Sequence, residues 1–131
     1  MRDYQSRKNN PFSLPHNLYM RVLYQIRDYD RMKEERMEIL YSTTARDGLP
    51  RGNGVRSDTE IRAIRLVKVE ENCKAVELAL GQIPEEYRKG VIDNICEGAP
   101  FPLDASYSTY KRQRQRMIWW TAKFMGLCDE F

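Results

Sequence analysis

Leu66, Val69, Cys73, Val76, Leu80 and Ile83 recur at alternating spacings of three and four. That rhythm is a two-position apolar seam along one side of a helix, sustained for about two and a half heptads. A strand cannot hide it, because side chains three and four apart fall on both faces of a sheet. A seam this narrow needs a partner helix. The nearest candidate is the stretch 17–42, where Leu18, Val22, Ile26 and Tyr29 mark a second apolar face; self-association through the same seam is the alternative. Both lead to an all-α chain; pairing with 17–42 makes it a long antiparallel helical hairpin followed by a compact C-terminal helix-turn-helix-like pair.

Punctuation residues divide the chain into three regions. Residues 1–14 are polar and basic with no period, and read as a flexible arm. Residues 15–83 hold the hairpin. Its first helix starts near Pro15 to Asn17 and its second at Ser57 or Asp58, with Glu60 placed for a capping arrangement. Between them, residues 43–57 contain Gly48, Pro50, Gly52 and Gly54, which forbid a regular helix. Residues 84–131 form the third region. A helix from Pro84 to Glu97 carries Glu85 and Glu86 at its positive end and stops at Gly98. The proline-rich turn Ala99-Pro100-Phe101-Pro102-Leu103-Asp104 follows, and Asp104 or Ser106 caps a last helix running to about Gly126.

The 131 residues include 41% apolar and 31% charged side chains, enough for a modest core. No apolar run is long enough to span a membrane. The opening residues Met1 to Gln5 show no signal-peptide run, so the expected location is the cytoplasm. Cys73, Cys96 and Cys128 are widely spaced, no CxxC pair exists, and His16 is the single histidine. No zinc site, paired catalytic carboxylates, nucleophile–base set or cofactor fingerprint is readable, which argues against an enzyme and implies no cofactor. Gly48 to Gly54 with Arg46, Arg51 and Arg56 could cradle a phosphate, or serve simply as an interhelical loop.

Charge is segregated along the chain. Residues 17–42 balance five bases with five acids. Residues 105–127 carry Lys111, Arg112, Arg114, Arg116 and Lys123 and no acid. An acid-free basic segment points to a polyanionic partner, nucleic acid being the usual one. On a helical wheel, Tyr110, Gln113, Met117, Trp120, Phe124 and Leu127 form the inner side. Ser108, Lys111, Arg112, Gln115 and Trp119 face outward, with Arg114 and Arg116 at the flanks. A helix presenting Ser, Lys, Arg and Gln beyond a turn has the chemistry of a major-groove reader.

The stretch Ile83-Pro84-Glu85-Glu86-Tyr87-Arg88-Lys89-Gly90-Val91, followed by Ser106-Tyr107-Ser108-Thr109-Tyr110-Lys111-Arg112, resembles the last helix–turn–helix of sigma factors. The layout over residues 17–127 is similar to phage and prophage transcriptional regulators of the ArpU and RinA type. These join a long helical part and a Gly/Pro-rich loop to a sigma-like reader. The chain departs from the sigma pattern at Ala99 to Ala105, where the usual short middle helix is replaced by a turn. The resemblance implies DNA contacts from Ser106, Ser108, Thr109, Lys111, Arg112 and Gln115, to which the wheel adds Arg114 and Arg116. It implies double-stranded DNA as partner, with RNA polymerase and a homodimer as further candidates. Two other readings compete: a small terminase subunit or other packaging adaptor, and a structural helical assembly protein without nucleic acid.

Overall fold

The computed structural model describes residues 10–45 and 58–127. They form five helices, α1 (His16–Arg27), α2 (Tyr29–Ala45), α3 (Asp58–Gly81), α4 (Glu85–Glu97) and α5 (Tyr107–Phe124), with no strand among the described residues. The fold is all-α. The Gly/Pro-rich loop with Arg46, Arg51 and Arg56, and Cys128 with them, lie outside the described residues.

The stretch expected to be one first helix is two. Asp28 interrupts it with φ −86° and ψ 1° and closes α1. Its carboxylate accepts a two-pronged ion pair from Arg31 in the first turn of α2. That contact draws the Asp28 carboxyl below the usual carboxylate range. The break separates two jobs. Tyr19, Val22, Leu23 and Ile26 of α1 are fully buried, and α1 packs against α4 and α5. α2 instead packs against α3, burying Tyr29, Met32 and Ile39. Arg65 reaches Glu35 at 3.0 Å, and Tyr29 and Arg36 both reach Glu77 at 2.8 and 3.1 Å.

α3 is the spine. Val69, Cys73 and Val76 of its seam are buried, with Leu66 and Leu80 half-buried and packed against the core, and Ile83, just past its end, is buried too. Beyond α2, it packs on α5, where Ala75 and Ala79 are also buried. Small side chains on that side let a second helix approach closely. The first region is also revised: Leu14 is buried and Phe12 packs on the core, so residues 10–14 belong to the folded unit rather than to an arm.

Helix ends are tied to neighbours. The Arg27 Nε donates to the Ile95 carbonyl at 3.0 Å, and the Cys96 thiol donates to the Ile26 carbonyl at 3.3 Å. Each bond satisfies a carbonyl left over at the C-terminus of the facing helix. The Arg88 Nε donates to the carbonyl of Ile83, in the link between α3 and α4, at 2.8 Å.

The link between α4 and α5 holds its shape through rings. Gly98 adopts φ 69°, which only glycine takes at little cost, and turns the chain out of α4. Phe101 then stacks on Tyr110 at 5.3 Å, Tyr87 meets the same ring edge-on at 5.2 Å, and the Tyr110 hydroxyl donates to Asp104 at 2.6 Å. Gly90 makes the close approach possible. A Cβ there would come within 2.7 Å of both the Pro102 Cδ and the Tyr110 Cε1. Gly90→Ala would gain about 1 kcal/mol of helix propensity in the open. Here the pyrrolidine and phenol rings must move, which costs about 1–3 kcal/mol. The variant is expected to melt below the parent in a thermal unfolding scan; a rise in melting temperature would show that α4 and the turn are not so close.

Candidate nucleic-acid interface

α5 begins at a defined cap. The Ser106 Oγ accepts the Thr109 N–H at 3.1 Å and lies 2.9 Å from the Thr109 hydroxyl. Both residues sit at the candidate face, and their side chains serve the helix start. α2, α3 and α4 each carry an acid in the first turn; α1 and α5 carry none. The positive end of α5 is therefore not offset by its own residues. Asp104, in the preceding turn, is occupied by the Tyr110 hydroxyl. That bond, with burial, pushes the phenol up to about 12.

Past the cap, the eight candidate residues separate by environment. Ser108, Arg112 and Arg116 are exposed and Lys111 is half-exposed. Neither Lys111 nor Arg112 forms an ion pair with another described residue. Ser108, Lys111 and Arg112 thus form the accessible polar surface of the first two turns of α5.

Arg114 is not at a flank. It is 5% exposed and lies between α1, α4 and α5. Its Nε donates to the Asn94 Oδ1 at 3.0 Å and its Nη1 to the Tyr19 hydroxyl at 2.8 Å. Its Nη2 is buried and finds no hydrogen-bond partner among the described residues. Asn94 passes the linkage on by donating to the Ala99 carbonyl at 2.8 Å, which fixes the turn after α4. In this structure Arg114 is a structural residue, unavailable to a ligand at the surface. The wheel misplaced it because a guanidinium reads as polar, while its hydrogen-bond partners lie on two other helices.

Trp119 is also inside, at 8% exposure, although its angle on the wheel falls near the middle of the outward face. The reason is Phe12. The Phe12 ring meets Trp119 edge-on at 5.1 Å, the Arg116 guanidinium lies 5.2 Å from the Phe12 ring, and the Gln115 amide donates to the Phe12 carbonyl at 2.7 Å. The segment before α1 therefore clasps the C-terminal half of the outward face. Gln115 and Arg116 are engaged in this clasp, a role no local pattern announced. Trp120, assigned to the core, is half-buried against Trp119 and Phe124, and Phe124 is 36% exposed.

The remaining chemistry is sparse. Burial pushes the Cys73 thiol up and the Cys96 thiol up to about 11, so neither is an activated nucleophile. His16 is exposed at the start of α1. Among the described residues, no group of three or more His, Cys, Asp and Glu gathers to hold a metal, and no helix is long and apolar enough to cross a membrane. No family model, curated protein or solved structure matches the chain.

Proposed function

We propose that this protein binds double-stranded DNA through the first two turns of α5, as a transcriptional regulator of phage or prophage type. One observation carries the reading. Ser108, Lys111 and Arg112 stand exposed on a helix without acids, and Lys111 and Arg112 are not neutralised by other described residues. Elsewhere bases are paired with acids of the same chain at its surface: Arg31 with Asp28 and Glu35, Arg36 with Glu77, Arg65 with Glu35, Lys89 with Asp93. Free cations on an accessible helix attract phosphates, and a Lys–Arg pair can also reach guanine edges in a major groove.

Supporting this, α5 is held rigidly from behind by α3, α1 and α4, as a helix entering a groove must be. Its exposed residues lie at its N-terminal half, the end that reading helices present to base edges. The aromatic turn of residues 98–106 replaces the middle helix of the sigma-like module in this reading. RNA polymerase or a second copy of the chain would then meet the outer surfaces of α2 and α3, where Met37, Tyr41, Ile64 and Val67 expose apolar area.

The test is binding of a labelled duplex of random sequence at several salt concentrations. Salt-dependent binding, followed by recovery of a preferred sequence on selection, supports a reader. Absence of any salt-dependent retention on DNA would remove this function and leave the structural assembly reading.

A further inference from the structure

We propose that α3 carries a second seam, on the side away from α2, through which two copies of the chain pair antiparallel across a two-fold axis. The first seam is covered by α2, and one flank of α3 is covered by α5. On the remaining side Ile64, Val67, Glu71, Lys74, Leu78 and Gly81 follow at spacings of three, four, three, four and three. All six are exposed. At 100° per residue they fall in one strip about 100° wide, and they run about 26 Å along the helix axis. This is the spacing of a partner-facing seam, with apolar side chains towards both ends and one charge of each sign in the middle.

The order of the six selects the occupant. Under a two-fold axis crossing α3 between Asn72 and Cys73, each position meets the one equally far on the other side of the axis, and every contact occurs twice. Glu71 meets Lys74 of the second copy, Val67 meets Leu78, and Ile64 meets Gly81. The space beside Gly81 is open, since a Cβ built there would have nothing within 4 Å. Neither Glu71 nor Lys74 forms an ion pair with another described residue of its own chain, so both are available for this one. Parallel pairing in register would set Glu71 against Glu71 and Lys74 against Lys74, which repel. An antiparallel slip of one heptad would set each charge against an apolar residue or Gly81. A foreign partner would need the complement of this pattern; the chain's own α3 already carries it. The apolar contacts supply the attraction and the ion pairs fix direction and register, because exposed ion pairs alone contribute little. The inference commits this side of α3 to a second copy rather than to RNA polymerase, and it does not depend on DNA binding by α5.

The experiment is sedimentation equilibrium of the full chain over a range of concentrations, for the parent and the variants E71K, K74E, E71K/K74E and L78D. Circular dichroism of each checks that the helices are kept, as expected for substitutions at exposed positions. The parent is expected to approach twice the 15.6 kDa of one chain as concentration rises. E71K and K74E each set like charges face to face and should weaken the dimer by roughly tenfold or more. L78D, which removes the apolar contact with Val67, should weaken it as well. E71K/K74E exchanges the two charges, keeps every antiparallel pair unlike, and should dimerise close to the parent. A parent that stays monomeric at every concentration overturns the proposal and leaves this face to another partner. A dimer that none of the single changes weakens lies elsewhere on the molecule and overturns it too. A double exchange no better than E71K or K74E alone contradicts the antiparallel register. Duplex binding by K111A/R112A is a separate readout, so each of these failures leaves the α5 reading untouched.

Discussion

Replacing Arg114 with alanine is expected to destabilise the protein by about 3 kcal/mol. The substitution removes the Arg114 hydrogen bonds to the Asn94 Oδ1 and the Tyr19 hydroxyl, two side chains that are themselves buried. A buried polar group that loses a hydrogen bond costs about 1–3 kcal/mol, and the vacated volume adds to it. The three helices that meet there, α1, α4 and α5, should loosen together. Arg114→Met separates the two components. It restores much of the volume and removes a buried cation that has no acid among the described residues, so its cost should be smaller. Arg112→Ala is the surface control and should lie within about 0.5 kcal/mol of the parent. Urea unfolding of the four proteins reads all of this. Equal stability of Arg114→Ala and Arg112→Ala would place Arg114 at the surface.

Lys111→Ala combined with Arg112→Ala should do the reverse. Stability should hardly change, because both side chains reach into solvent. Duplex binding should weaken by roughly tenfold, with the slope of log affinity against log salt shallower by about 1.8, or 0.9 for each lost phosphate contact. If Arg112 instead pairs with a guanine, Arg112→Ala alone should cost about 1–3 kcal/mol and relax preference at one base pair. Gln115→Ala is not expected to show that pattern, since its amide is committed to the Phe12 carbonyl. Lys33→Ala on α2 serves as the control. Lys33 already pairs with Asp30 at 3.3 Å and lies 4.6 Å from the Tyr29 ring centre, so binding should be unaffected.

Much of the backbone plan could be read from local chemistry. Gly98 after α4 stands where the sequence expectation put it, Asp58 at the start of α3 and Ser106 capping α5 are each one of two expected positions, and Pro84 precedes α4 by one residue; all act through their immediate neighbours. The seam of α3 was legible because its spacing is regular. The break at Asp28 was not, because Ile26, Tyr29 and Met32 keep a spacing of three across it while changing partner from α4 and α5 to α3. The candidate site was legible only in part. Lys111 and Arg112 follow from the wheel. Arg114 and Trp119 do not, because burial of each is decided by residues far away in sequence: Tyr19 and Asn94 for one, Phe12 for the other. Position on a single helix says which way a side chain points and nothing about what arrives to cover it.

The central claim is the location of the binding surface, and backbone amide resonances followed during titration with duplex DNA test it most directly. The expected result is a set of shifts centred on Ser108, Lys111 and Arg112, extending through Gln115 to Phe12, with α2 unmoved. Shifts centred on α2 or on the first half of α3, or none at a duplex excess that saturates binding, would contradict a nucleic-acid face on α5.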